Sequence, residues 1–154
     1  MREGQIYEAT KAHLLGGGWR VVGGQPPNGT DKTPVIEIKR PGPPAKGSAG
    51  SYKPDLVAIK ANCILILEIK PRFSPSDVRK VREVLANPGR IACLRHELEQ
   101  RRIIHSSAAV EPARVAGGIA FAGEPVELSD LFVLCIGKNG EFTCRTPHGL
   151  TLDD

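Results

Sequence analysis

The sequence contains few of the residues and patterns on which several common kinds of protein depend. Its four cysteines form no C-x-x-C pair, and its four histidines show no helical metal-ligand spacing. These absences argue against a zinc site or a disulfide framework. No apolar run approaches the ~18 residues that a membrane span needs, and the N-terminal stretch has no signal-peptide pattern. We therefore expect a cytoplasmic protein that does not associate with membranes.

The overall composition is typical of one globular domain. The chain has 154 residues, of which 40% are hydrophobic and 25% are charged. This length is enough for one core and too short for two ordinary domains, so residues 1–154 are expected to form a single domain. The last stretch, TPHGLTLDD, has no core pattern, and we expect this tail, residues 146–154, to be frayed.

Local patterns predict an α/β fold. A first helix is indicated over residues 3–15, which precede three consecutive glycines. A second is indicated after Ser74, which is followed by proline and, three positions on, by an acid. A third is indicated through IACLRHELEQRR. The runs expected to form strands are GWRVV, TPVIEIK, PDLVAIK, CILILEIK, ARVAGGIAFAG and LFVLCIGKNGEFTCRT, the last as a hairpin.

The two runs around Ala61 and Asn62 carry the chemistry. They are β-rich and separated only by these two residues, which predicts a hairpin. If both residues form the turn, Asp55 lies directly opposite Glu68 on the neighbouring strand. Because side chains alternate along a strand, Lys70 is expected on the same face as Glu68.

Two carboxylates that face each other repel, and a divalent cation relieves that repulsion. Oxygen ligands without nitrogen or sulfur favour Mg²⁺ or Mn²⁺, which also bind substrate phosphates. Such an ion polarises a phosphoryl group and lowers the pKa of a bound water, and a neighbouring lysine can orient that water. The predicted reaction is phosphodiester hydrolysis.

These residues resemble the signature of a known family. Pro54-Asp55, twelve intervening residues and Glu68-Ile69-Lys70 are similar to the motif of the PD-(D/E)XK nuclease superfamily. The resemblance covers roughly residues 3–85. It implies a restriction-endonuclease-like core, a central mixed β-sheet flanked by helices, in the order helix, three-stranded meander, helix and strand.

The resemblance also implies roles for individual residues. The metal would be held by Asp55, Glu68 and the backbone carbonyl of Ile69, while Lys70 would assist the attacking water. Some members add a glutamate from the first helix. Glu8 matches that position better than Glu3, because Glu8 shares a helical face with Ala12 and Leu15 whereas Glu3 lies at the helix start.

A second EIK triplet, Glu37-Ile38-Lys39, lies upstream. The preceding acid, Asp31, is only six residues before Glu37, which leaves no room for two strands and a turn. We therefore interpret this triplet as part of a neighbouring strand of the same sheet. Glu37 would then be a peripheral acid near the site or a solvated strand end.

Basic residues are concentrated after the predicted site. The net charge is +4 and the pI about 9.0, and residues 70–102 hold nine basic and four acidic residues. A basic segment of this kind is typical of a polyanion contact, which predicts DNA as the partner. The residues expected to contact nucleic acid are Lys39, Arg40, Lys53, Arg72, Arg79, Lys80 and Arg82.

Taken together, these patterns favour a metal-dependent DNA endonuclease with one or two Mg²⁺ ions on a β-hairpin. It would act as a homodimer, for which the late apolar strands offer surface, or with a subunit that recognises the target. One alternative is a non-catalytic nucleic-acid-binding or assembly subunit on the same fold. Another is an unrelated α/β binding protein in which the two triplets are only strand ends.

Overall fold

A computed structural model describes residues 1–27, 32–39, 50–104 and 114–150. Within these residues the chain is α/β, as the sequence predicted, and none of the helices is long and apolar enough to cross a membrane. The elements in chain order are α1 (Glu3–Gly16), β1 (Arg20–Gly24), β2 (Leu56–Lys60), β3 (Cys63–Ile69), α2 (Pro75–Leu85), α3 (Pro88–Gln100), β4 (Arg114–Ala122), β5 (Phe132–Ile136) and β6 (Phe142–Arg145).

The strands form one mixed sheet in the order β1-β2-β3-β4-β5-β6. The first three strands are an antiparallel meander, β4 and β5 run parallel to β3, and β6 is antiparallel to β5. A parallel neighbour requires a crossover connection, and α2 and α3 lie in the connection from β3 to β4. The predicted central mixed sheet flanked by helices is confirmed.

The β2–β3 hairpin has the predicted register. Lys60 pairs with Cys63 and Leu56 with Leu67, so Ala61 and Asn62 form the turn. Ala61 adopts a positive φ of 50°, which a two-residue hairpin turn of this kind requires. Both faces of β3 are buried, because α1 packs against one face of the sheet and α2 and α3 against the other.

Helix α2 begins as the sequence indicates. The Ser74 hydroxyl accepts a hydrogen bond from the backbone N–H of Asp77, and Pro75 occupies the first helical position. Val78, Val81 and Val84 are buried against the sheet. The cap and this apolar stripe together fix which face of α2 meets the sheet, and therefore which of its polar residues point toward the end of the hairpin.

The close packing of α2 on β4 depends on Gly117. A Cβ atom at that position would lie 2.3 Å from Cγ1 of Val81 and 2.9 Å from Cδ1 of Leu85. We expect Gly117→Ala to push α2 away from the sheet and to lower the free energy of unfolding by about 1–3 kcal/mol, as measured by urea denaturation. Gly16→Ala is the control, because a Cβ there meets nothing within 4 Å. A Gly117→Ala protein with the wild-type denaturation midpoint would contradict this prediction.

The segment TPVIEIK is not a strand of the sheet, and that prediction was wrong. Its only described pairing is an isolated antiparallel bridge between Ile38 and Tyr52, and β1 rather than this segment pairs with β2. Ile36 and Ile38 are fully buried in the core on the face that carries α2 and α3. The segment is held by this bridge to Tyr52 and by a hydrogen bond from the N–H of Gly24 to the carbonyl of Pro34 at 2.9 Å, and it forms no described strand.

Two described residues of the C-terminal stretch contact the rest of the chain. The N–H of His148 donates to the carbonyl of Ser129 at 2.8 Å, and Leu150 packs against the core. The frayed tail, residues 146–154, stays a prediction, and residues 151–154 lie outside the described residues.

The reason for expecting a homodimer does not hold. Strands β4 and β5 lie inside the sheet, and the side chains of β5 are all buried within the single chain. These late strands therefore do not provide the apolar surface on which the dimer prediction depended. The dimer itself stays a prediction.

Candidate active site

Asp55 and Glu68 lie side by side at the open end of the β2–β3 hairpin. The paired register ends at Leu56 and Leu67, and Asp55 and Glu68 are the next residue on each strand. The backbone N–H of Ile69 donates to Oδ2 of Asp55 at 2.8 Å and fixes the carboxylate against β3. Glu68, the last residue but one of this otherwise apolar strand, is only 3% exposed. This is the pairing that the hairpin rule predicts.

The closeness of the two acids changes the chemistry of Asp55. Burial and then the negative charge of Glu68 raise the pKa of Asp55 to about 7, and the hydrogen bond from Ile69 opposes this only in part. The pair therefore shares a proton near neutral pH or requires a cation. Either a ligand or a nearby ammonium group has to supply that positive charge.

Tyr52 and Lys80 surround Glu68. The Tyr52 hydroxyl donates to Oε1 of Glu68 at 2.5 Å, and burial, followed by the charge of Glu68, raises the pKa of that hydroxyl far above its usual value. Nζ of Lys80 lies 3.6 Å from the same oxygen and 5.1 Å from the centre of the Tyr52 ring. Tyr52 was not predicted from the sequence as a site residue, because its contact with Glu68 joins two separate segments of the chain.

Lys70 is exposed at the end of β3 and lines a small cleft together with Glu68. The Lys70 backbone N–H donates to the carbonyl of Ala120 at 3.0 Å, which continues the pairing with β4 past the end of the strand. The structure thus brings the three predicted catalytic residues, Asp55, Glu68 and Lys70, to one end of one hairpin. Arg72 lines the same cleft as Lys70.

A second buried acid lies at this cleft beside Glu68. Asp77, in the first turn of α2, is 7% exposed and lines the cleft with Glu68 and Lys70. Its charge also contributes to the raised pKa of Tyr52. The sequence identified Asp77 only as an acid at a helix start, because spacing along the chain could not show that the helix end turns back onto the hairpin.

The structure favours Glu3 over Glu8 as the acid that α1 contributes. The buried face of α1 carries Ile6 and Tyr7, whereas Glu8 is exposed on the side of the helix that faces solvent. Glu3 is half-buried, and its charge is among the causes that raise the pKa of Asp55. The reason given for Glu8 fails because Leu15, on the same helical face, is 52% exposed.

The basic residues of α2 differ in what lies beside them. Lys80 lies near Glu68, and Arg79 is exposed. Arg82 makes two hydrogen bonds to the carboxylate of Asp130, at 2.7 and 2.8 Å, so its charge is already paired. Two of the three basic residues predicted to contact nucleic acid from this helix therefore lie beside a carboxylate.

Of the other predicted nucleic-acid contacts, Arg72 and Lys39 are exposed and Lys53 is partly buried. Arg40 lies outside the described residues. The upstream triplet sits beside the site, because Ile38 bridges to Tyr52. Its Glu37 is partly exposed, which agrees with a peripheral acid.

The donors at the hairpin end suit a hard divalent cation. Asp55 and Glu68 offer carboxylate oxygens, and the Ile69 carbonyl points to the same side of the strand as the N–H that reaches Asp55. All are oxygen donors, as Mg²⁺ and Mn²⁺ prefer, and a cation would stabilise the charged Asp55 carboxylate, whose pKa is raised by burial and then by the charge of Glu68. Within the described part of the chain, no group of three or more histidine, cysteine, aspartate or glutamate side chains is arranged to hold a metal. A metal here would thus depend on two carboxylates and one carbonyl.

No protein-family model, curated protein or solved structure matches the chain. The function is therefore inferred from the geometry of these residues and from the motif that they form.

Proposed function

We propose that the protein is a cytoplasmic, metal-dependent endonuclease that hydrolyses phosphodiester bonds of DNA, with a site of the PD-(D/E)XK type on a restriction-endonuclease-like core. The observation that carries this proposal is the adjacency of the Asp55 and Glu68 carboxylates beside Lys70 at one end of a hairpin. The order α1, the β1–β3 meander, α2 and β4 supports it, since the family resemblance implies that order.

Asp55, Glu68 and the Ile69 carbonyl would hold Mg²⁺ or Mn²⁺. When bound, such an ion polarises the phosphoryl group and lowers the pKa of a water molecule. The Lys70 ammonium group would neutralise the charge that develops on the phosphate. The hydroxyl of Tyr52 would keep the Glu68 carboxylate in one orientation, as hydrogen bonds to ligating carboxylates commonly do.

The direct test is incubation of the protein with plasmid, linear and single-stranded DNA, with and without Mn²⁺. We expect strand breaks that require the metal and that chelation by EDTA stops. A preparation that binds Mn²⁺ but leaves all three substrates intact would reject the nuclease proposal.

One observation favours the alternative, a non-catalytic nucleic-acid-binding or assembly subunit. The Lys80 ammonium group near Glu68 already supplies a positive charge to the acid pair, so the pair could persist without a metal. Calorimetric titration of Mg²⁺ and Mn²⁺ distinguishes the two functions. Saturable binding that Asp55→Ala removes supports the nuclease, and no binding supports the alternative.

Contacts with DNA phosphates give a further prediction. Arg72 is exposed and lines the cleft beside Lys70, whereas the charge of Arg82 is paired with Asp130. We expect Arg72→Ala to weaken DNA binding and to lower the slope of log K against log salt concentration by about one. Arg82→Ala is the matched control and should change both much less. Equal losses in a fluorescence-anisotropy titration at several salt concentrations would contradict this assignment.

A further inference from the structure

The small cleft beside Lys70 has a polar wall and an apolar wall. Glu68, Lys70, Ser74 and Asp77 contribute polar groups, and β4 contributes apolar side chains. The centre of a water molecule can occupy a space of about 10 Å³ inside this cleft. That space is close to the minimum that one water molecule needs, and a water held in such a space also requires at least two polar partners.

Asp77 presents an unsatisfied oxygen at this place. Its Oδ2 atom is buried and receives no hydrogen bond from the described residues. The Ser74 hydroxyl accepts from the backbone N–H of Asp77 at 3.4 Å and lies 2.9 Å from the Ser76 hydroxyl, and it makes no described hydrogen bond to Oδ2. A buried carboxylate oxygen without a donor is strongly unfavourable, so its presence calls for a specific explanation.

The position at a helix start does not explain the burial. The helix dipole stabilises an acid in the first turn of a helix. An exposed acid gains this stabilisation too, and it does so without the cost of losing its contact with water. Asp77 instead lines the cleft together with Glu68 and Lys70, and Lys80, which lies beside Glu68, follows it by three residues on α2. The Asp77 side chain is therefore buried next to the candidate site.

We propose that Asp77 is the general base that accepts a proton from the attacking water. This inference rests on the proposed nuclease function and adds a catalytic residue to it. A water in the cleft would accept a hydrogen bond from the Lys70 ammonium group and donate one to Oδ2 of Asp77. Asp77 thereby gains the donor that it lacks, and the water oxygen is left with a free electron pair for the phosphorus.

The chemical step balances without a further reactant. As the water attacks, one O–H bond breaks and its proton moves to Oδ2 of Asp77, while the oxygen forms a bond to phosphorus. The phosphorus–oxygen bond to the leaving group breaks, and its electron pair stays on the leaving alkoxide. That alkoxide takes a proton from solvent, and Asp77 later releases its proton to solvent. The sum is hydrolysis of a phosphodiester to a phosphomonoester and an alcohol.

Asp77→Asn tests the proposal, because asparagine keeps the shape of the side chain but cannot accept this proton. We expect the single-turnover cleavage rate to fall by about 100-fold or more, while affinities for DNA and Mn²⁺ stay within about twofold of wild type. Glu83→Gln, which changes an exposed acid on the same helix, is the control and should cleave at the wild-type rate. In Asp77→Ala, added formate should restore part of the rate, which a purely structural role would not allow.

Different outcomes reject different claims. Asp77→Asn that cleaves within about threefold of wild type overturns the general-base role and leaves the nuclease proposal standing. Loss of Mn²⁺ affinity in that variant also overturns it, since Asp77 would then act on the metal. If Asp77→Asn does not fold, the absence of formate rescue in folded Asp77→Ala overturns it. A wild-type protein that cleaves no substrate rejects both proposals.

Discussion

Replacing Asp55 by alanine is expected to abolish DNA cleavage while DNA affinity stays the same or rises. The change removes one of the two carboxylates that would hold the metal, and it also removes a negative charge that faces the substrate phosphates. Lys70→Ala should stop turnover as well. Among the described residues that line the cleft with Glu68 and Asp77, Lys70 is the one lysine, so its ammonium group would not be replaced. A nicking assay and a gel-shift assay on the same preparations separate the loss of chemistry from the loss of binding.

The matched control is Lys39→Ala, which changes the corresponding lysine of the upstream triplet. Lys39 is exposed, and in the described part of its segment the link to the candidate site is the bridge between Ile38 and Tyr52. We therefore expect Lys39→Ala to retain most of the cleavage rate. If Lys39→Ala abolishes cleavage and Lys70→Ala remains active, the choice between the two triplets is wrong.

The hairpin could be predicted from the sequence because its determinants are local. A two-residue connection leaves one register in which both strands bury their apolar side chains, and that register puts Asp55 opposite Glu68. The start of α2 was equally predictable. Ser74 and Pro75 act within one turn of the helix, so no distant contact can override them.

The partners of an apolar segment are not determined locally. TPVIEIK has the alternation of a strand, but Ile36 and Ile38 bury their side chains in the core without joining the sheet. The face of α1 was mistaken for a related reason. Its sequence has apolar residues on more than one side, and only contact with the sheet shows that Tyr7 rather than Leu15 points inward.

The role of a charged residue depends on what the fold brings beside it. Counting basic residues after Lys70 predicts an anion-binding surface, but it cannot show that Asp130 neutralises Arg82 or that Lys80 lies against Glu68. For the same reason Tyr52 and Asp77 were missed. Both reach the site through contacts between segments that are separated along the chain.

The contribution of Asp55 to stability is expected to fall as pH rises from about 4 to about 7. The pKa of Asp55 is about 7 in the folded protein against an ordinary value of 3.8, so the folded state binds this proton more tightly than the unfolded state does. The associated stabilisation is complete below pH 3.8 and is lost as pH rises through 7. Its size is roughly 2–4 kcal/mol for a shift of this order in a largely buried group.

Asp55→Asn should remove this pH dependence and should make the protein more stable than wild type at pH 8, where the Asp55 carboxylate of the wild type is charged. Urea denaturation gives the free energy of unfolding of both proteins in EDTA at pH 5 and at pH 8. The difference between the two proteins at each pH isolates the contribution of Asp55, because the titration of the other groups is common to both and cancels. A difference that does not change with pH would contradict the raised pKa of Asp55. Glu68→Gln gives an independent check, since it removes the charge that raises that pKa.

Stabilisation of the protein by a bound metal is expected to increase as pH rises, whereas the contribution of protonated Asp55 decreases. A cation binds the deprotonated carboxylates, so Mg²⁺ should raise the denaturation midpoint of the wild type more at pH 8 than at pH 5. Asp55→Asn, which lacks one ligand charge, should show little increase at either pH. If Mg²⁺ leaves the wild-type midpoint unchanged at pH 8, then Lys80 rather than a metal balances the charge of Glu68, and the non-catalytic function becomes the better account of this site.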